Sequence, residues 1–128
     1  TTTAGVELAG TLENYPILIR LHTGNFKYFL DLKADASDLR FMAADDKTPL
    51  KFHVEKIDPL NEIALIWVKL PQLTSKINSE FIWMYYGNPN AVNAADISGT
   101  YDSNYIAVYS FKEGETIPKD ESSFGNLP

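Results

Sequence analysis

The chain has 128 residues, a size that suits one domain with its own core and no need of disulfides or metal. Hydrophobic residues make up 45% and the formal net charge is −6, with a pI near 4.8. This composition argues against a disordered or membrane-embedded chain. It also argues against a nucleic-acid partner, because phosphate neutralisation needs clustered Lys and Arg and the eleven basic residues here are scattered. There is no cysteine, so the chain is indifferent to redox compartment. It begins at Thr1 without Met or leader, which gives the expectation of a processed or excised piece of a longer protein.

The dominant period along the chain is two. A first strand is expected at residues 6–12. Residues 15–22 place Ile17, Ile19 and Leu21 on one face and Arg20 and His22 on the other, the pattern of a half-buried antiparallel strand. A turn at residues 23–25 follows, then an ambiguous stretch at 26–32 with room for a short helix. A short strand is expected at 39–43 and a hairpin turn at 45–47. Residues 50–57 alternate again, with Leu50, Phe52 and Val54 facing in and Lys51, His53 and Glu55 facing out. After turn chemistry at 58–61, residues 63–70 are apolar on both faces, as are 81–86, and both suit central strands. A second helical candidate lies at 73–78 and a turn at 87–90. The small, polar run 90–99 reads as a linker or surface loop, 105–111 as one more strand, and 118–123 as a closing loop.

Short strands at this spacing predict an all-β fold: an antiparallel β-sandwich, jelly-roll or immunoglobulin-like, with short helical turns at most. The expected division is a sandwich over 1–95 and a junction over 96–128 that holds the possible first strand of a following jelly roll. The expected core is Ile17, Ile19, Leu21, Phe41, Phe52, Val54, Leu65, Trp67, Ile82 and Met84.

Several segments together carry a resemblance: Tyr-Pro-Ile-Leu-Ile-Arg-Leu-His-Thr-Gly-Asn-Phe (15–26), Asp-Leu-Arg-Phe (38–41) and Asp-Asp-Lys-Thr-Pro-Leu (45–50), then His-Val-Glu-Lys (53–56), Ala-Leu-Ile-Trp-Val (64–68) and Trp-Met-Tyr-Tyr-Gly-Asn (83–88). They resemble a bacterial domain of unknown function that precedes a laminin-G-like, concanavalin-like jelly roll, in the version carried by members of the MotA/TolQ/ExbB proton-channel family. Residues 99–111 resemble the junction and first strand of that jelly roll, and 120–126 the polar loop after it. One departure is Ser110, where the family often has His. The resemblance implies an exported, periplasmic β-sandwich module, attached in the full protein to membrane helices of a proton-driven energiser, with no catalytic activity.

The residues themselves offer little chemistry. No Gly-x-Ser-x-Gly turn, phosphate loop or dinucleotide fingerprint is present. His22 and His53, both expected on outward faces, converge with Glu55 if their strands are neighbours. Zinc sites show tighter spacing, so ordinary hydrogen bonding is the preferred reading, and no metal or cofactor is expected. Arg40 and Glu55 are expected to form a cross-strand ion pair, a reading preferred over Arg40 gripping a carboxylate or sugar acid. Asp35, Asp38, Asp45 and Asp46 read as turn and loop caps, since the EF-hand pattern is absent. Phe81, Trp83, Tyr85 and Trp67 are assigned to the core, which leaves Tyr28, Tyr86 and Tyr101 as exposed aromatics. Asn88, beside Pro89, caps a turn.

The candidate ligand contacts are therefore His22, Arg40, His53, Glu55, Tyr86 and Asn88. The expected function is a non-catalytic exported accessory or binding module of a MotA/TolQ/ExbB-type protein involved in biopolymer transport. Its partner would be a protein or a glycan in the periplasm or at the cell surface. The full-length protein would be held in the inner membrane by segments outside this chain. The alternative is a carbohydrate-binding or adhesion module.

Overall fold

A computed structural model describes residues 10–74, 80–111, 114 and 116–127. Five strands form two antiparallel sheets: β1 (Thr11–His22), β2 (Arg40–Met42), β3 (Phe52–Asp58), β4 (Ile63–Thr74) and β5 (Trp83–Tyr85). The larger sheet has the order β1-β4-β3 and the smaller pairs β2 with β5. A 3-10 turn at Phe29–Asp31 falls in the ambiguous stretch before β2, and a four-residue helix, α1 (Ile97–Thr100), falls in the expected linker. The fold is an all-β sandwich.

The register of the larger sheet decides which side chains meet. Ile17 pairs with Val68, Ile19 with Ile66 and Leu21 with Ala64. On the other side of β4, Phe52 pairs with Val68 and Val54 with Ile66. All of these belong to one hydrophobic core, which the smaller sheet completes with Phe41 and Met84. The rings of Phe41 and Phe52 meet edge to face at 5.2 Å and join the two sheets. Phe26 and Phe29, 5.2 Å apart, close one end of the core.

This register corrects the expected facing of β4. Ala64, Ile66 and Val68 are fully buried, whereas Leu65 and Trp67 lie on the opposite, half-buried face. A run that is apolar on both faces carries no parity signal, so only the pairing with β1 and β3 could choose between them. The expected strand at 81–86 shortens to β5. The outer face of its two-stranded sheet is uncovered, and Phe81, Trp83 and Tyr85 stand 54%, 45% and 46% exposed rather than in the core. No strand forms at 105–111; that segment makes a single bridge, Tyr109 to Asp120. Residues 73 and 74 of the second helical candidate extend β4. Its residues 75–78, and residues 6–9 of the first expected strand, lie outside the described residues.

The second face of the larger sheet is covered by the chain beyond residue 95. Asp96 donates its backbone N–H to the Phe52 carbonyl at 2.9 Å and pairs with Lys51. The Asp96 carboxylate caps α1 by accepting the Gly99 N–H at 2.8 Å. A Cβ at Gly99 would stand 2.3 Å from that carboxylate, so a larger residue there would push the capping side chain aside. Lys69 reaches the Gly99 carbonyl at 3.3 Å. Tyr101, Asp120, Glu121 and Ser122 are all buried against this face or within its cover.

Candidate functional site

Two local irregularities shape a cleft between the larger sheet and its C-terminal cover. The first is a β-bulge in β3: Val54 pairs with Ile66 and Lys56 with Leu65, so Glu55 has no partner across the ladder. The extra residue lets Val54 and Ile57 both pack on the core and aims Glu55 over β4. There its carboxylate accepts the Trp67 indole N–H at 2.6 Å. The second is Asn14 in β1, at φ 51° and skipped by the pairing, next to Tyr15 at the cleft edge.

The resulting cleft holds about 400 Å³ and is lined by Tyr15, Pro16, Glu55, Trp67, Tyr101, Tyr105, Ala107, Val108, Tyr109 and Ser110. Five aromatic side chains and one carboxylate thus share one concavity. The rings of Tyr101 and Tyr105 lie 5.6 Å apart and tilted by 56°. Burial pushes the Tyr101 phenol well above the usual tyrosine range, and the nearby Glu121 and Glu55 carboxylates add to it. Burial likewise raises Tyr105, with smaller contributions from Tyr15 and Asp102.

Beneath the cleft runs a buried polar chain. The Ser110 hydroxyl donates to Glu121 Oε2 at 2.5 Å, and that oxygen stands 3.4 Å from His53 Nε2. His53 Nδ1 shares a hydrogen bond with the Tyr101 hydroxyl at 3.1 Å. The order is wrong for nucleophile activation, where an imidazole must stand between hydroxyl and carboxylate. Here the carboxylate stands between serine and histidine, and the chain locks the cover to the sheet. A second lock is Asp120, which accepts the backbone N–H groups of Val108, Ser122 and Asn126, each at 2.8 or 2.9 Å.

Of the sequence-predicted contacts, only Glu55 lines the cleft. His53 was expected on an outward face and is fully buried below it, because the C-terminal segment covers that face. β1 and β3 both flank β4 and do not touch, so His22 does not converge with His53 and Glu55. His22 Nδ1 accepts the Gly24 N–H at 3.1 Å within its own turn. The expected Arg40–Glu55 pair is absent: the two lie on different sheets, and Glu55 holds Trp67. Arg40 donates to the carbonyls of Ser37, Leu39 and Val92, and with Lys33, which reaches the Ala91 carbonyl, it fastens the loop after β5. Tyr86 packs edge-on against Phe26 at 5.1 Å, and Asn88 accepts the Asn90 N–H at 3.0 Å. Tyr101, expected among the exposed aromatics, is 5% exposed. Asp45 caps its hairpin turn as expected, accepting the Lys47 and Thr48 N–H groups at 3.0 Å. Among the described residues no three His, Cys, Asp or Glu side chains cluster as metal ligands would.

Sequence reasoning missed Tyr15, Trp67, Tyr105 and Tyr109 as cleft residues. One signal was present: Val54 and Ile57 are both apolar but three apart, out of phase for a regular strand, which marks a bulge at one of the two polar residues between them, Glu55 or Lys56. Comparison with known proteins finds no match among curated proteins and none among solved structures. A family model, Domain of unknown function (DUF2341), matches residues 35–122, a span that runs from the loop before β2 through the buried Glu121. Most of the chain lies inside that match, and the protein belongs to the DUF2341 family.

Proposed function

We propose that the chain is a non-catalytic binding module of an exported protein, and that its ligand sits in the cleft between the larger sheet and the C-terminal cover. The observation that carries this reading is the convergence of Tyr15, Trp67, Tyr105, Tyr109 and Glu55 around one open concavity of about 400 Å³. Concave sites with apolar walls and a few fixed polar groups are where proteins take small ligands. The order serine, carboxylate, imidazole, with Glu121 between Ser110 and His53, supports a binding role over a hydrolytic one. The resemblance of segments 15–26, 45–50 and 83–88 to the domain carried by MotA/TolQ/ExbB-type proteins supports a periplasmic setting beside a proton-driven energiser.

The test is a titration with peptidoglycan fragments, oligosaccharides and small organic ions, read by NMR at the Trp67 indole resonance. A saturable shift that weakens in Tyr105→Ala is expected. Silence across all three ligand classes sinks the reading. The membrane setting has its own test: a full reading frame that encodes no transmembrane segments removes it.

A second reading, adhesion to a polysaccharide surface, is favoured by the exposed row Phe81, Trp83 and Tyr85 on the smaller sheet. Alternate positions along the chain put the three side chains in one row, with Phe81 and Trp83 edge to face at 5.5 Å, and the Tyr85 hydroxyl donates to Asp46 at 2.6 Å. Co-sedimentation with insoluble polysaccharide, lost in Trp83→Ala, is the expected result; equal pelleting of the variant counts against it.

A further inference from the structure

The charge balance of the cleft narrows the ligand class. Among the described residues its lining contains one carboxylate, Glu55, and no Lys, Arg or His. Lys69, on the same face of β4 as Trp67, is turned to the Gly99 carbonyl. Arg20 and Lys56 pair with Leu65, a step along the sheet from Trp67, and neither lines the cleft. An acidic ligand would meet no counter-charge among these described lining residues. A cation would meet one carboxylate whose position is fixed by the Trp67 indole N–H, and a second, Glu121, behind Tyr101.

The walls point the same way. Indole and phenol rings carry negative faces that attract a desolvated cation, and rings set at an angle present more than one face to a single charge. Tyr101 and Tyr105 are tilted by 56°, and Trp67, Tyr15 and Tyr109 complete the aromatic part of the lining. A whole-chain charge of −6 favours approach of a cation over that of an anion.

We propose that the cleft takes the ammonium or quaternary ammonium head of a small organic molecule, with Glu55 as counter-charge and the rings of Tyr15, Trp67, Tyr105 and Tyr109 as its walls. This rests on the cleft being the binding site.

The test compares choline and tetramethylammonium with 3,3-dimethyl-1-butanol, the uncharged carbon isostere of choline, on the full 128-residue chain. Trp67 reports from the cleft, and Trp83, on the other sheet, is the internal control. The cations are expected to shift the Trp67 indole resonance saturably and leave Trp83 still, while the isostere binds at least about tenfold more weakly. Glu55→Gln, which keeps an acceptor for the indole N–H, is expected to weaken choline by about tenfold or more. The wild-type comparison needs no variant, so a variant that fails to fold does not remove the test. Vesicles of phosphatidylcholine form a separate arm. A response to free choline alone assigns a free solute, a response to both assigns a head group, and a response to vesicles alone overturns the proposal. Equal binding of the isostere overturns it too. A shift by a neutral oligosaccharide with none by the cations overturns the cation assignment and leaves the binding site standing. No shift by any ligand overturns both.

Discussion

At the scale of single residues, the cover is fixed by a few polar groups that have been fully solvated by protein. Asp120 is the clearest. Burial alone would raise its carboxyl, but the N–H groups of Val108, Ser122 and Asn126, joined by the Ser122 hydroxyl, outweigh that and hold it far below the usual carboxylate range. A folded pKa below the unfolded value of 3.8 means that the unfolded chain takes up the proton first. The stability this carboxylate contributes is therefore complete above about pH 4 and is lost as pH falls toward the folded pKa. Asp120→Asn is expected to lower the melting temperature at pH 7 and to flatten its decline below pH 4, measured by circular dichroism across pH 2–7. An unchanged acid limb would show that Asp120 does not couple the cover to pH.

At the scale of the element, β4 has two faces with different duties. Its inner face packs Ala64, Ile66 and Val68 between β1, β3 and the smaller sheet. Its outer face carries Trp67 under the cover, half-buried and tied to Glu55. The energetic consequence is a contrast between two large aromatic truncations on paired or adjacent strands. Phe52→Ala opens a void at the junction of the two sheets and is expected to cost about 3–5 kcal/mol. Trp67→Ala removes a side chain already in contact with solvent and is expected to cost about 1–2 kcal/mol while abolishing the cleft wall. Urea unfolding of both variants checks the order, and a Trp67 loss as large as that of Phe52 would place the indole in the core.

At the scale of the whole molecule, the sheet is covered on both sides by chain from different parts of the sequence. The core side is built from residues up to Ala95, and the other side from described residues between 96 and 126. His53 is buried to 0% exposure although it alternates with core residues, because Tyr101 and Glu121 lie over it. A chain ended at residue 95 would leave that imidazole uncovered and remove the cover across the cleft from Trp67. Its melting temperature is expected to fall by more than about 10 °C relative to the 128-residue chain, with binding of an apolar dye. Equal melting temperatures would show that the cover adds nothing to the sandwich.

The sequence by itself determined the class of fold and most of its strands. Alternation in residues 15–22 and 50–57 was legible because one face of each strand is apolar and the other polar, and turn residues such as Asp45 and Asp58 accept nearby backbone N–H groups locally. It also named Glu55, both as a candidate ligand contact and for a cross-strand ion pair with Arg40 that does not form. Only the tertiary structure decided the facing of β4, the exposure of the Phe81, Trp83 and Tyr85 row and the burial of His53. Each depends on what lies over a strand face, and a doubly apolar run or a lone histidine carries no record of its neighbour. The cleft was hidden for the same reason: its walls come from β1, β3, β4 and residues 101–110, distant in sequence and joined only when the C-terminal segment folds back across the sheet.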